Sequence, residues 1–168
     1  MEIVINDTNI LIDLYNAGLL QYCKLLNLDF RTLDLVISEI TDDKQRVAVE
    51  SIIADGTLKV CSLDGNQMFG VIEKMNAYKG KCNLSMIDFS VMLYAQENNC
   101  RLLTGDSKLR KTAENENITV SGILYIIDLL MDKVDGKSLL NSIELLRQSN
   151  ERLPKDLIQE RIDKLKQL

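Results

Sequence analysis

A chain of 168 residues with 46% hydrophobic content can bury a substantial core in one compact unit, and a formal net charge of −5 argues against coating nucleic acid by charge alone. It contains no histidine, which removes the commonest general base and the commonest zinc ligand, so hydrolytic chemistry must rest on carboxylates, metal, lysine or serine. No apolar run approaches the ~18 residues of a membrane span, and Met1 leads directly into a strand pattern, so the expectation is a cytoplasmic chain with no membrane association.

The first stretch, Glu2-Ile-Val-Ile-Asn-Asp-Thr-Asn, reads as a buried strand that ends abruptly in polar residues, after which Ile10, Leu11 and Leu14 recur at helical spacing. Gly18 breaks that helix, and Leu19 to Leu26 suggest a second short one. The next strand is either Leu28 to Thr32, with Asp34 capping a following helix, or Leu33 to Ile37, with Glu39 at its end; both put Glu39 near a strand-to-helix junction. Residues 43 to 54 form an amphipathic helix through Val47, Val49, Ile52 and Ile53, stopped by Gly56, and Thr57 to Cys61 make a third strand.

A helix over residues 65 to 78 leads into the basic loop Lys79-Gly80-Lys81. Leu84 to Ala95 reads as a helix with Ile87, Val91, Tyr94 and Ala95 on one face. Cys100 to Thr104 is a fourth strand, a helix runs from Lys108 to Asn115, and Ile118 to Val120 is a fifth strand. Helices at about 122 to 132, about 137 to 149 and beyond Pro154, the only proline, complete the chain. Strands alternating with helices predict an α/β fold, a mostly parallel sheet covered on both faces. The expected organisation is one domain over 1–168, with a core to about residue 121 and a helical extension from about 122. The four scattered cysteines form no C-x-x-C pair and are expected to be buried thiols.

Asp7 stands out because aspartate is a poor strand residue, and the carboxyl ends of strands are where open α/β sheets place ligands. Asp106 repeats the arrangement after Leu102-Leu103-Thr104-Gly105. Each could instead be a helix cap, with Thr8, Asn9 or Ser107 as alternatives. Asp88 has a specific competing role: Ser85-Met-Ile-Asp88 has the S-x-x-D form of a capping box. Glu39 is an ordinary helical glutamate when taken alone. Asp13, Asp42, Asp43 and Asp55 read as solvated surface acids. Four acids in one pocket would repel and raise one another's pKa, a cost that a divalent cation removes, and oxygen-only ligands select Mg2+ or Mn2+. Asn9 and Thr104 could orient carboxylates or water without adding charge.

On these residues the chain resembles the PIN-domain ribonucleases, a family that includes VapC-like toxins of bacterial toxin–antitoxin pairs and bacterial members with a longer helical C-terminus. The motifs are Val-Ile-Asn-Asp7-Thr-Asn9, Val-Ile-Ser-Glu39, Leu-Ser-Met-Ile-Asp88 and Leu-Leu-Thr104-Gly-Asp106, in order over residues 2 to 120. The resemblance implies a three-layer α/β/α fold with a five-stranded parallel sheet, first strand central, and a metal-binding catalytic set of Asp7, Glu39, Asp88 and Asp106. It further implies Mg2+- or Mn2+-dependent hydrolysis of single-stranded RNA, leaving a 5′-phosphate and a 3′-hydroxyl. The partners it suggests are a cognate antitoxin and a second copy of the chain.

Lys79, Lys81 and Lys108 are candidate contacts to RNA phosphates, whereas Arg110, Lys111 and the interleaved charges of the tail, Arg152 among them, fit exposed helix faces better. Tyr15, Tyr22 and Tyr78 have the spacing of core or rim residues rather than stacking platforms. A haloacid-dehalogenase-like phosphatase also opens on a strand ending in aspartate, but it needs D-x-D, and Asp7-Thr8-Asn9 lacks the second carboxylate. A PIN scaffold that binds RNA or a partner without cutting is the non-enzymatic alternative.

Overall fold

The β-branched run at the amino terminus forms strand β1 (Glu2–Asn6) at the centre of a parallel sheet; the computed structural model describes residues 1–167. Its neighbours are β2 (Leu28–Leu33) and β4 (Arg101–Leu103), with β3 (Leu58–Cys61) and β5 (Val120–Ser121) at the edges, giving the order β3-β2-β1-β4-β5. Val4 lies opposite Phe30 on one side and Arg101 on the other. Parallel strands need crossovers, and these are helices: α1 (Thr8–Asn16), α2 (Asp34–Ser38), α3 (Asp43–Ala54), α4 (Gly65–Ala77), α5 (Met86–Glu97) and α6 (Ser107–Asn115). The result is the expected α/β/α layering with β1 central.

Helices α7 (Ile123–Leu130), α8 (Gly136–Ser149) and α9 (Lys155–Lys166) form the helical carboxyl terminus. One continuous apolar cluster runs from Val4 and Ile5 in the sheet through Leu139, Ile143 and Leu146 of α8 to Ile162 and Leu165 of α9. Among the described residues no helix is long and apolar enough to cross a membrane.

Several local expectations change. The second short helix is a 3-10 turn over Leu20–Leu25, and the strand choice resolves to Leu28–Leu33. Glu39 therefore caps the carboxyl end of the short α2 rather than opening a helix. Asp34 is the first residue of that helix, not its cap; its carboxylate accepts Leu35 N–H at 2.8 Å and the Ser62 hydroxyl at 2.7 Å. Val47 is exposed, because α3 buries only the Val49 and Ile52 side. Pro154 sits one position earlier, as the cap of α9. Helix α5 is buried on every side from Phe89 to Ala95, since the sheet covers one face and α4 the other. Only Cys23 and Cys100 are buried; Cys61 and Cys82 are half-exposed, and all four are free thiols.

Candidate active site

The chain passes from β1 to β2 on one side, while β4 joins β1 on the other. The crevice at the carboxyl ends of β1 and β4 is therefore a topological switch point. Asp7 N–H donates to Leu103 O at 3.0 Å, carrying the β1–β4 pairing one residue past the strand. This holds the Asp7 side chain, 4% exposed, at the base of the crevice.

Asp7 caps α1, its Oδ1 accepting Thr8 N–H at 2.8 Å. Its Oδ2 accepts from Asn9 Nδ2 at 3.0 Å and from the Thr104 hydroxyl at 2.9 Å. The same two side chains tie in the neighbouring loop: Asn9 Oδ1 accepts Gly105 N–H at 2.7 Å, and Thr104 Oγ1 accepts Asp106 N–H at 3.1 Å. All of these donors are neutral. Burial pushes the Asp7 carboxyl up to about 6; the Thr104 and Thr8 hydrogen bonds pull it down, and the charges of Asp88 and Glu39 push it up again.

The other three acids reach the crevice from separate elements, each with a local role. Asp106 caps α6, with Oδ1 accepting Lys108 N–H at 2.8 Å and Leu109 N–H at 2.9 Å. Asp88 completes the Ser85 capping box, Oδ2 accepting Ser85 N–H at 2.7 Å while Ser85 Oγ accepts Asp88 N–H at 3.1 Å. Glu39 Oε2 accepts the Thr8 hydroxyl. Capping occupies one oxygen of Asp106 and of Asp88, and the Thr8 hydroxyl occupies one of Glu39. Among the described residues, Glu39 Oε1, Asp88 Oδ1 and Asp106 Oδ2 have no protein hydrogen bond. Burial raises the Asp88 pKa as well, with the charges of Asp106 and Glu39 adding to it. The structure thus brings Asp7, Glu39 and Asp106 each within electrostatic reach of Asp88, and Asp7 within reach of Glu39.

Among the described residues no three His, Cys, Asp or Glu side chains are already placed to ligate one ion. The donor chemistry nevertheless fits Mg2+ or Mn2+: only hard oxygens are present, and among the described residues three of them lack a protein partner and no salt bridge to Lys or Arg neutralises the set. Mg2+ retains several waters and commonly takes only one or two carboxylates directly, so direct ligation by three or more side chains is not required.

The Tyr78 ring packs on Phe89 at 5.7 Å between centroids, which places the Lys79–Lys81 loop at the Asp88 end of α5. Tyr78 OH donates to Glu116 at 2.7 Å, a rim role, and Tyr15 and Tyr22 pack against the core. Lys108 lies in the first turn of α6, beside Asp106, with its side chain exposed. Arg110 is half-buried rather than solvated, bonded to Val120 O at 3.4 Å and near Glu114 at 3.6 Å. Lys111 is exposed, as expected of a helix surface.

Three residues escaped the sequence reading. Asp13 is not a surface acid: it is 7% exposed, and both carboxylate oxygens accept from Asn150 Nδ2, at 3.2 and 3.0 Å. Its position among buried neighbours on the α1 stripe was the available signal. Asn6 is fully buried, donating to Arg31 O at 3.0 Å and leaving Oδ1 without a partner. Thr8 links Glu39 to the β1 loop, a long-range contact that no local pattern encodes.

A family model of the PIN domain, DUF3368, matches residues 3–167. Comparison with curated proteins finds no match. Among solved structures, the chain is similar to one in VapBC2 from Rickettsia felis bound to a DNA fragment from their promoter, with 16% identity and a TM-score of 0.56 over 71% of this chain and 98% of that one. It is also similar to one in VapBC-1 from nontypeable Haemophilus influenzae, with 14% identity and a TM-score of 0.53 over 73% and 98% of the two chains. PAE2754 from Pyrobaculum aerophilum gives 15% identity and a TM-score of 0.50 over 75% and 93%.

Proposed function

The chain belongs to the PIN-domain family, and from that premise we propose that it is an Mg2+- or Mn2+-dependent endoribonuclease acting on single-stranded RNA in the cytoplasm. The observation that supports this reading is the crevice itself, where acids from four elements are electrostatically coupled to or through Asp88 with no salt bridge to Lys or Arg among the described residues, and two have raised pKa values. Glu39, Asp88 and Asp106, each with an oxygen free of protein partners, would hold the ion together with Asp7. When bound, such an ion supplies an activated water and stabilises the leaving oxygen of a phosphodiester. Asn9 and Thr104 hold Asp7 in one orientation and fix the Gly105–Asp106 loop against it, and Thr8 holds Glu39. Lys79, Lys81 and Lys108 would meet the RNA backbone around the crevice. The similarity to chains of VapBC2 and VapBC-1 supports the further proposal that a cognate antitoxin protein pairs with this chain, in an assembly that includes a second copy of it.

One observation favours a second reading, a PIN scaffold that binds without cutting: Asp7, Asp88 and Asp106 all serve as helix-capping acids. Cleavage of single-stranded RNA with Mg2+ or Mn2+, against Asp7→Asn and Asp106→Asn, separates the two. The nuclease reading expects a loss of about 10²-fold or more in each variant, with circular dichroism unchanged. Cleavage that survives EDTA, or that both variants retain, overturns it. Growth arrest on expression, relieved by the product of an adjacent small gene, tests the toxin role; absence of arrest from the active enzyme refutes that role.

A further inference from the structure

We propose that the cavity between α6 and the start of α9 is a nucleotide subsite, in which Arg152 binds a phosphate of the same single-stranded RNA whose neighbouring phosphodiester lies at the acids. This deepens, and rests on, the nuclease reading. The cavity has a volume of about 550 Å3, within the range of ~300–1,000 Å3 usual for small-ligand sites. Asn9, Thr104 and Asp106 form one wall, so it is continuous with the acidic crevice, and Leu124, Leu153 and Pro154 supply an apolar wall. A surface that is apolar on one side and cationic at its mouth matches a nucleotide, with the base against the aliphatic groups and the phosphate at the guanidinium.

Arg152 is set apart by its lack of a partner. The other six arginines of the chain, Arg31, Arg46, Arg101, Arg110, Arg147 and Arg161, each lie within 4.0 Å of a carboxylate; among the described residues Arg152 does not. Its side chain is exposed at the cavity, and its backbone is held in place. Asn150 donates to both oxygens of buried Asp13 and accepts Arg152 N–H at 3.1 Å on its Oδ1. Asp13 belongs to α1, the helix that Asp7 caps. A buried carboxylate is costly unless its hydrogen bonds are met. Here they go to the loop carrying Arg152, so Asp13 and Asn150 are positioning residues that register the loop against Asp7. The helical carboxyl terminus thereby contributes to substrate binding.

Binding of a fluorescent single-stranded RNA to the full chain, measured in EDTA over a range of salt, tests the subsite apart from cleavage. Each phosphate contact on a single strand contributes about 0.7 to the slope of log affinity against log salt. Arg152→Ala is expected to reduce that slope by about this amount and to weaken binding about tenfold. With metal present it should raise KM and leave kcat within about twofold, as expected for loss of uniform binding. Arg152→Lys should recover the slope, and Arg147→Ala, whose guanidinium is held by Glu144, should behave as wild type. A thiouridine-containing RNA should cross-link to residues between Asn150 and Leu157. Unchanged slope and KM in Arg152→Ala, or cross-links only elsewhere, overturn the subsite while leaving the nuclease intact. RNA binding that depends on Arg152 without any cleavage supports the subsite and refutes the nuclease. Wild-type protein that neither binds nor cuts RNA overturns both.

Discussion

The two edges of the sheet treat acids in opposite ways. At the amino-terminal edge Glu2 is bonded to Arg101 at 2.7 Å and to Tyr125 OH at 2.8 Å, and Asp29 to Arg31 at 2.6 Å and Lys59 at 2.9 Å. Burial works to raise the Glu2 carboxyl, but Arg101 and Tyr125 together outweigh it and bring it below the usual range; Asp29 is lowered chiefly by its bond to Arg31. At the carboxyl-terminal edge Asp7 and Asp88 are raised by burial and by neighbouring acids, and none of Asp7, Glu39, Asp88 or Asp106 has a lysine or arginine partner among the described residues. Cations do stand near the crevice, Lys108 among them, but among the described residues the close ion pairs are made at the other edge and none reaches these four acids. Charge left unpaired inside a crevice stores instability that an incoming cation relieves, a frequent mark of functional sites.

The largest expected effect on stability comes from making the crevice still more acidic. Asn9→Asp removes the amide that donates to Asp7 and adds a like charge beside it. It should cost about 1–3 kcal/mol of stability and lower cleavage about 10–100-fold, as read by thermal melting and RNA turnover. A neutral outcome would mean that the crevice is less crowded than its hydrogen bonds indicate.

Asp7→Asn probes the stored instability directly. With the folded pKa of Asp7 near 6, above the ordinary aspartate value of 3.8, the native state binds the extra proton and is favoured at low pH, and this contribution is lost as pH rises through 6. A shift of about two units corresponds to at most ~3 kcal/mol at neutral pH, partly offset because an amide cannot satisfy both the Thr8 N–H and the Thr104 and Asn9 donors. Metal-free Asp7→Asn should therefore melt above wild type at pH 8, by about 1 kcal/mol, and below it at pH 5. Destabilisation by the same amount at both pH values would break the contrast between the edges.

Ser85→Ala separates the capping role of Asp88 from any other. Loss of the cap should cost about 1 kcal/mol, while cleavage should remain within about twofold of wild type; activity that collapses with the cap would show that the capped conformation is itself required. The smallest effect belongs to the quenched edge. Glu2 has a lowered pKa, so its contribution is present at neutral pH and lost on acidification. Glu2→Gln should cost roughly 0.5 kcal/mol at pH 7, given its exposure, and progressively less as the pH falls through the lowered Glu2 pKa, with cleavage unchanged.

Much of the layering is legible from local pattern. β1 and β4 are short, largely apolar runs bounded by polar turns, β2 alternates apolar with polar residues, and the crossover helices between them carry their own stop signals, such as Gly56 after α3. The boundary shifts arose where tertiary cover replaced periodicity: α5 shows no one-sided stripe because α4 covers the face that would otherwise meet water. Val47 failed as a core position for the converse reason, since nothing packs over that side of α3. Asp13 was misjudged because an acid within a helix looks solvated until the partner that buries it, Asn150, arrives from 137 residues away.

What the sequence by itself determined is the chemistry available: no histidine, acids at the ends of two apolar runs, the uncharged Asn9 where a phosphatase would need a carboxylate, and the alternation that makes a parallel sheet. These depend on residue type and on spacing of a few positions, which a one-dimensional pattern records. Only the tertiary structure decided which acids share a crevice, which oxygens capping leaves over, and which cations stand too far away to quench them. Burial and like-charge repulsion depend on distances through space, and apart from the adjacent Thr8 N–H the contacts that set the state of Asp7, from Thr104, Asp88 and Glu39, come from other elements of the fold.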